Sequence, residues 1–191
     1  MSRYSSAAIP VNNFFLSKEL STCPEIADLS TFFYLLHKSC SDKNNKITIS
    51  VSYGKRMVIN ADNIDISKLS QEDFVEIVDY DLLKRTLLII GKKLPSSSAP
   101  LHWMVQKARK DIYAIVQLHD KKIVDRLKDD LPFIHTTHAS DTFEFLKEVL
   151  INLRGRNHVL FQDDSGFFTG THLNDIKNYL REIGAIHESQ R

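Results

Sequence analysis

Between Ile47 and Ile59 the chain alternates in steps of two. Ile47, Ile49, Val51 and Tyr53 point one way, and Thr48, Ser50 and Ser52 the other. A period of two excludes a helix there and requires a strand with one apolar face. Gly54 interrupts the pattern and Met57-Val58-Ile59 resumes it, so the spacing predicts a β-hairpin.

The segments around this hairpin have the periods needed to cover it. Ile26, Leu29, Phe33, Leu36 and Cys40 recur at steps of three and four, which predicts a helix opened by Thr22 and Pro24 and ended by residues 41–45. Ser70-Gln-Glu-Asp73 resembles a loose capping box ahead of a strand at 75–78, and residues 87–90 form a further strand. Pro95-Ser-Ser-Ser98 leads into a helix carrying Leu101, Met104, Val105 and Ala108, followed by a buried strand at 113–118. Asp141-Thr-Phe-Glu144 caps a helix striped by Phe143, Leu146, Val149, Leu150 and Leu153. Two short strands, 158–162 and 166–169, precede a last helix that starts near Thr171 and carries Ile176, Leu180 and Ile183.

Residues 1–20 read as a polar arm with an aromatic patch at Phe14-Phe15, and residues 21–191 as one domain. Strands in hairpin-like order between helices predict an α/β fold in layers, with a central, mainly antiparallel sheet flanked by helices.

Composition narrows the function classes. Of 191 residues, 42% are hydrophobic and 26% charged, which fits a globular domain and not a disordered chain or coiled coil. Lys plus Arg number 25 and Asp plus Glu 24, so net charge supplies no pull toward nucleic acid or anionic lipid. The clusters Lys107-Ala-Arg109-Lys110 and Arg154-Gly-Arg156 lack interleaved aromatics and read as solvated surface. Cys23 and Cys40 are too few for a disulfide framework. No run approaches the roughly 18 apolar residues of a membrane span, and Met1–Pro10 has no apolar core of secretory length. A cytoplasmic protein is the default expectation, although effectors exported by specialised machines lack such signals too.

Three stretches together resemble the class II aldolase/adducin superfamily. They are ITISVSYGKRMVINADNIDISKL (47–69), KLPSSSAPLH (93–102) and ARKDIYAIVQLH (108–119). Their order and spacing are similar to the family's hairpin, its Pro-Ser-Ser-Glu segment and the strand bearing its His-x-His pair. The resemblance spans residues 20 to 180 and implies the family's three-layer α/β/α fold. It further implies a fourfold-symmetric homotetramer with sites between subunits, and a divalent metal, usually zinc, held by one Glu and three His.

This chain departs from that ligand set. Ser98 stands at the Glu position, Gln117-Leu-His119 replaces the His-x-His pair, and the His-Gly turn reads Gln162-Asp-Asp-Ser-Gly166. A catalytic zinc needs about three protein ligands plus an open position, so no cofactor is expected. The family's phosphate-contacting Gly-Asn pair falls at Ile47 and Thr48, and its Thr-Gly pair at Asp62 and Asn63. Ser96 and Ser97 match its phosphate-contacting serines, but their hydroxyls equally suit the free N–H groups at a helix start. The segment between His119 and Leu131 is much shorter than in the enzymes, where it carries a catalytic tyrosine.

Two readings of the remnant cleft follow. His119, Asp163 and Asp164 form a remodelled metal or proton-transfer site, or they are a relic, with Asp-Asp-Ser-Gly as a polar turn. His135 and His138 fall in a loop, and His102 and His158 read as packed histidines. The expected function is a noncatalytic interaction or scaffold module acting through a protein partner or self-association. The alternatives are a zinc- or other divalent-metal-dependent carbohydrate aldolase or epimerase with altered ligands, and a small-molecule sensor using the old cleft.

Overall fold

In the computed structural model, residues 11–40, 46–135, 138 and 142–186 are described. The predicted hairpin is present as β2 (Ile47–Tyr53) and β3 (Arg56–Asn60), with Gly54 at φ 59°, a left-handed conformation that costs glycine nothing. Ser50 pairs with Ile59 and Val51 with Val58. The meander continues through β4 (Phe74–Asp81) and β5 (Thr86–Ile90), each antiparallel to its neighbour.

On the other side of β2 lie β6 (Ala114–His119), β9 (Ser165–Gly170) and β8 (His158–Phe161), all antiparallel. The edges are β1 (Asn12–Ser17), parallel to β5, and the two-residue β7 (Phe133–Ile134), parallel to β8. The nine-stranded sheet therefore runs β1-β5-β4-β3-β2-β6-β9-β8-β7, mainly antiparallel as expected.

Helices cover both faces. α1 (Ile26–Ser39), α3 (Lys121–Leu127) and α5 (Leu173–Glu182) pack on one, burying Leu29, Leu36, Val124 and Ile176 against Ile49, Val51 and Val116. α2 (Ala99–Ala108) and α4 (Phe143–Asn152) pack on the other, burying Leu101, Val105 and Val149 against Met57, Ile59, Ile115 and Phe167.

The polar face of β2 is not solvated. Thr48 and Ser50 are fully buried under α2, where Thr48 Oγ1 meets Ser96 Oγ at 2.7 Å and Ser50 Oγ meets His102 Nδ1 at 2.8 Å. Buried hydroxyls need such partners, because an unpaired one costs about 1–3 kcal/mol.

Several local expectations change. Residues 12–17 are not arm but strand: Phe15 and Val11 pack on the second core, while Phe14 stays 57% exposed. The first helix begins at Ile26 behind Glu25, because Thr22 turns its hydroxyl to Tyr53 instead of capping. The Ser70/Asp73 capping box forms, around a short 3-10 turn. Asp141 lies outside the described residues, and Thr142 Oγ1 accepts from Phe145 N at the head of α4. The last helix starts at Leu173, with Thr171 bonded to Asp175 Oδ2.

Candidate functional site

The end of β6, the start of α2 and the β8–β9 turn converge on one cavity of about 410 Å³. Ser97, Ser98 and Lys46 line one side, Gln117, His119 and Asp163 another, and Ile134, Phe145 and Phe161 form an apolar floor. Gln162 and His138 complete the lining. The volume lies within the usual range for small-molecule sites. A larger cavity, about 680 Å³, opens at the opposite end of β6 between Glu25, Asp28, Tyr113 and His172, away from every residue singled out above as a site candidate.

The α2 side is built by backbone. Ser96 is buried, with its N–H on Asn60 O at 3.0 Å and its hydroxyl accepting from Ser98 N at 3.4 Å. Asn60 in turn accepts from Ile49 N at 2.6 Å and donates to Ile47 O and Ala61 O. Ser96 therefore does a helix-start and inter-strand job and does not line the cavity. Ser97 and Ser98 do line it. Ser98 is the residue before α2 and makes no side-chain cap.

The β6 side is a directed chain of hydrogen bonds. Gln117 Nε2 donates to Ser165 Oγ at 3.3 Å, and Ser165 Oγ donates to Asp163 Oδ1 at 2.6 Å. Asp163 Oδ2 lies 3.7 Å from His119 Nδ1. The pairing of His119 with Ser165 across β6 and β9 sets this geometry. Burial pushes the His119 imidazole below its ordinary range; the Asp163 carboxylate opposes that shift and Lys46 adds to it.

Asp164 holds the tight turn. It sits at φ 57°, a conformation Asp tolerates better than most residues, and its carbonyl accepts from Asp120 N at 3.1 Å. Its side chain is not part of the cavity wall.

Behind this chain, His102 is fully buried, and burial takes its pKa down to about 3. Among the described residues its Nε2 and the Gln117 Oε1 are both buried without a hydrogen-bond partner, although Gln117 lies close enough to oppose the shift. The other packed histidine, His158, stacks on Tyr179 at 3.9 Å, and burial lowers its pKa to about 4.

As donors to a metal, these groups make an incomplete set. Ser98 offers a neutral hydroxyl and Gln117 a neutral amide oxygen, where a zinc site takes carboxylate or imidazole. Among the described residues, no three His, Cys, Asp or Glu side chains gather closely enough to hold an ion. The residues present do not fit a tight zinc site.

The structure thus brings Gln117, His119, Ser97, Ser98 and Asp163 together and leaves Ser96 and Asp164 behind the wall. No sequence pattern pointed to Lys46 or to the apolar floor, and His138, expected in a loop, lines the cavity. Lys46 directly precedes the alternating strand, and that position is its one signal in the sequence. Phe145 and Ile134 carried no signal beyond an ordinary core pattern. Among the described residues, no helix is long and apolar enough to cross a membrane.

Known proteins carry the same architecture. An L-fuculose 1-phosphate aldolase superimposes with a TM-score of 0.69 at 20% identity, covering 86% of this chain and 84% of that one. A sugar-phosphate aldolase from Thermotoga maritima gives 0.60 at 12% identity, covering 84% and 90%. L-fuculose-1-phosphate aldolase from Thermus thermophilus gives 0.57 at 14%, covering 84% and 87%. At these identities the likeness establishes the fold alone. No curated protein matches the sequence. The family model of the class II aldolase and adducin N-terminal domain matches residues 25–155, more than half of the chain, and the chain belongs to that family.

Proposed function

We propose that this protein is a noncatalytic member of the family that works as an interaction or scaffold module. One observation carries the reading: the side chains at the metal-ligand positions are an incomplete donor set, with a serine hydroxyl at Ser98 and a neutral amide at Gln117. Ser98, Gln117 and the Gln162–Gly166 turn replace the family's Glu and two of its histidines, and His119 is the single side chain that matches its ligand set. In a metal-dependent aldol cleavage the ion polarises a carbonyl and stabilises the developing enediolate. Losing one well-placed stabiliser typically costs about 10²–10³ in turnover, and several are absent here.

Exposed apolar side chains support a surface role. Leu83, at the turn between β4 and β5, is 97% exposed, and Phe14 and Leu16 project from the edge strand. Self-association, as a tetramer or a smaller assembly, is part of this proposal. A strict monomer in sedimentation at high micromolar concentration would exclude it.

The test of the noncatalytic reading is retro-aldol cleavage of fuculose, rhamnulose and ribulose phosphates with excess zinc, manganese or cobalt. The expected result is no turnover above background and no stoichiometric metal by elemental analysis. Turnover above ~1 s⁻¹, within the common range for enzymes, that disappears in His119→Ala would establish the enzyme reading instead. The apolar-floored cavity beside His119 favours a second reading, a small-molecule sensor without chemistry.

A further inference from the structure

The cavity of about 680 Å³ at the far end of β6 has two walls of opposite charge. Glu25, Asp28 and Phe32 form one, from the residue ahead of α1 and its first two turns. His172 and Lys177 form the other, from the cap and second turn of α5. Tyr113, at the entry to β6, joins them: it bonds to Glu25, and its ring lies 6.4 Å from that of His172. The volume lies within the range of small-molecule sites.

Tyr113 Oη donates to Glu25 Oε1, which fixes that carboxylate on the cavity wall. Burial, and then the Glu25 carboxylate, push the phenol well above its ordinary range, so it stays protonated and keeps donating. Asp28 and Lys177 are not fixed in this way. They line the same cavity, yet among the described residues neither side chain makes a hydrogen bond or an ion pair, with the other or with anything else. Opposite charges in contact would gain a charge-assisted bond. Here they face one cavity without meeting, and the aromatic rings of Phe32 and Tyr113 supply its apolar surface.

We infer that this cavity binds a small zwitterion of amino-acid or dipeptide type, its ammonium group against Glu25 and Asp28, its carboxylate against Lys177 and its apolar part on Phe32 and Tyr113. Each end of such a ligand meets an opposite charge. A simple amine or a simple acid would meet one charged wall and leave the other uncompensated. Asp28 is exposed and Lys177 half-buried, so water screens each contact and a ligand needs both. The site is separate from the cleft at His119 and stands independently of the noncatalytic reading.

The experiment titrates wild type with phenylalanine and with alanyl-phenylalanine, each free, acetylated at its amino end and amidated at its carboxyl end. Binding is read by calorimetry and by the NMR shift of the His172 ring. The free form should bind at least about tenfold more tightly than either blocked form, a difference of about 1.4 kcal/mol. A tighter dipeptide assigns the site to peptides, and a tighter phenylalanine assigns it to amino acids. Lys177→Met should remove the advantage over the amidated form. Glu25→Gln/Asp28→Asn, which keeps an oxygen for Tyr113, should remove the advantage over the acetylated form. Wild type that binds neither free form at about 10 mM overturns the proposal, as does equal binding of free and blocked forms. Both outcomes are read on wild type, so they stand even if a variant fails to fold. An advantage that survives both variants puts the ligand elsewhere and overturns the proposal too. No arm measures turnover or touches His119, so failure here leaves the noncatalytic reading untouched.

Discussion

The two walls of the cleft differ in what their side chains do for the rest of the molecule. Behind the α2 wall, Ser96 and Asn60 are buried and commit their polar atoms to backbone or to Thr48. On the β6 wall, His119 and Asp163 are partly exposed and bond weakly to each other. Ser96, Ser97 and His119 keep the residue types the family resemblance calls for, while Ser98, Gln117 and the Asp163-Asp164 turn depart from them. A residue that holds strands together is constrained by folding whatever happens to catalysis; one that served a ligand only is not. A side chain's hydrogen-bond partners therefore say more about why it is there than its match to a motif does.

Mutation and acid should separate the two walls, and the largest effect should come from acid. His102 and His158 have folded pKa values near 3 and 4, against about 6.5 unfolded. Above about pH 6.5 neither state binds these protons. Below it the unfolded chain takes them up while the folded one does not, so stability falls as pH falls. By linkage, the loss at about pH 5 is roughly 2 kcal/mol per histidine, or roughly 4 in all. Urea midpoints at pH 7.5 and pH 5 would show it, and His102→Gln should flatten the dependence by about half. An unchanged slope would mean that His102 is hydrated and not sealed under α2.

Next in size is Asn60→Ala, which removes three buried bonds at the α2 wall and should cost roughly 3 kcal/mol. Ser96→Ala, which loses the Thr48 contact and the bond from Ser98 N, should cost about 1–2 kcal/mol. His119→Ala should cost about 1 kcal/mol or less, because the Asp163 carboxylate beside it is half-exposed. A cost for His119→Ala as large as that for Asn60→Ala, measured by the same urea transitions, would break the contrast between the walls. The smallest effect is electrostatic: Asp163→Asn removes the carboxylate that raises the His119 pKa, so an NMR titration of that ring should move to lower pH. Movement the other way would show that Asp163 does not face the ring.

Much of the architecture was readable in advance. The two-residue alternation of 47–59 identified the hairpin, and three- and four-residue stripes identified α1, α2, α4 and α5, because both patterns report directly which face is buried. The family resemblance then supplied the sheet's layered setting. β1 was not readable: Asn12-Asn-Phe-Phe-Leu-Ser17 has no alternation of its own, and its strand character comes from pairing with β5, which is remote in the chain. In the site, the residue types at 96–98, 117, 119 and 163 were visible, but not which of them face the cavity. Ser96 and Ser97 are neighbours with the same side chain, and one is sealed against Thr48 while the other meets Lys46.

What the sequence alone determined is local and periodic: the β2–β3 hairpin, the stripes of α1, α2, α4 and α5, and the replacement of Glu- and His-type ligands by Ser98 and Gln117. What only the tertiary structure decided is where each polar atom finds its partner. Apart from the local step from Ser165 to Asp163, the Gln117-Ser165-Asp163 chain and the Lys46 bridge join residues that are distant in sequence, 48 positions apart for Gln117 and Ser165 and 51 for Lys46 and Ser97. Local pattern carries no information about such pairings, since they are fixed by the order of strands in the sheet and by the depth at which each side chain is buried.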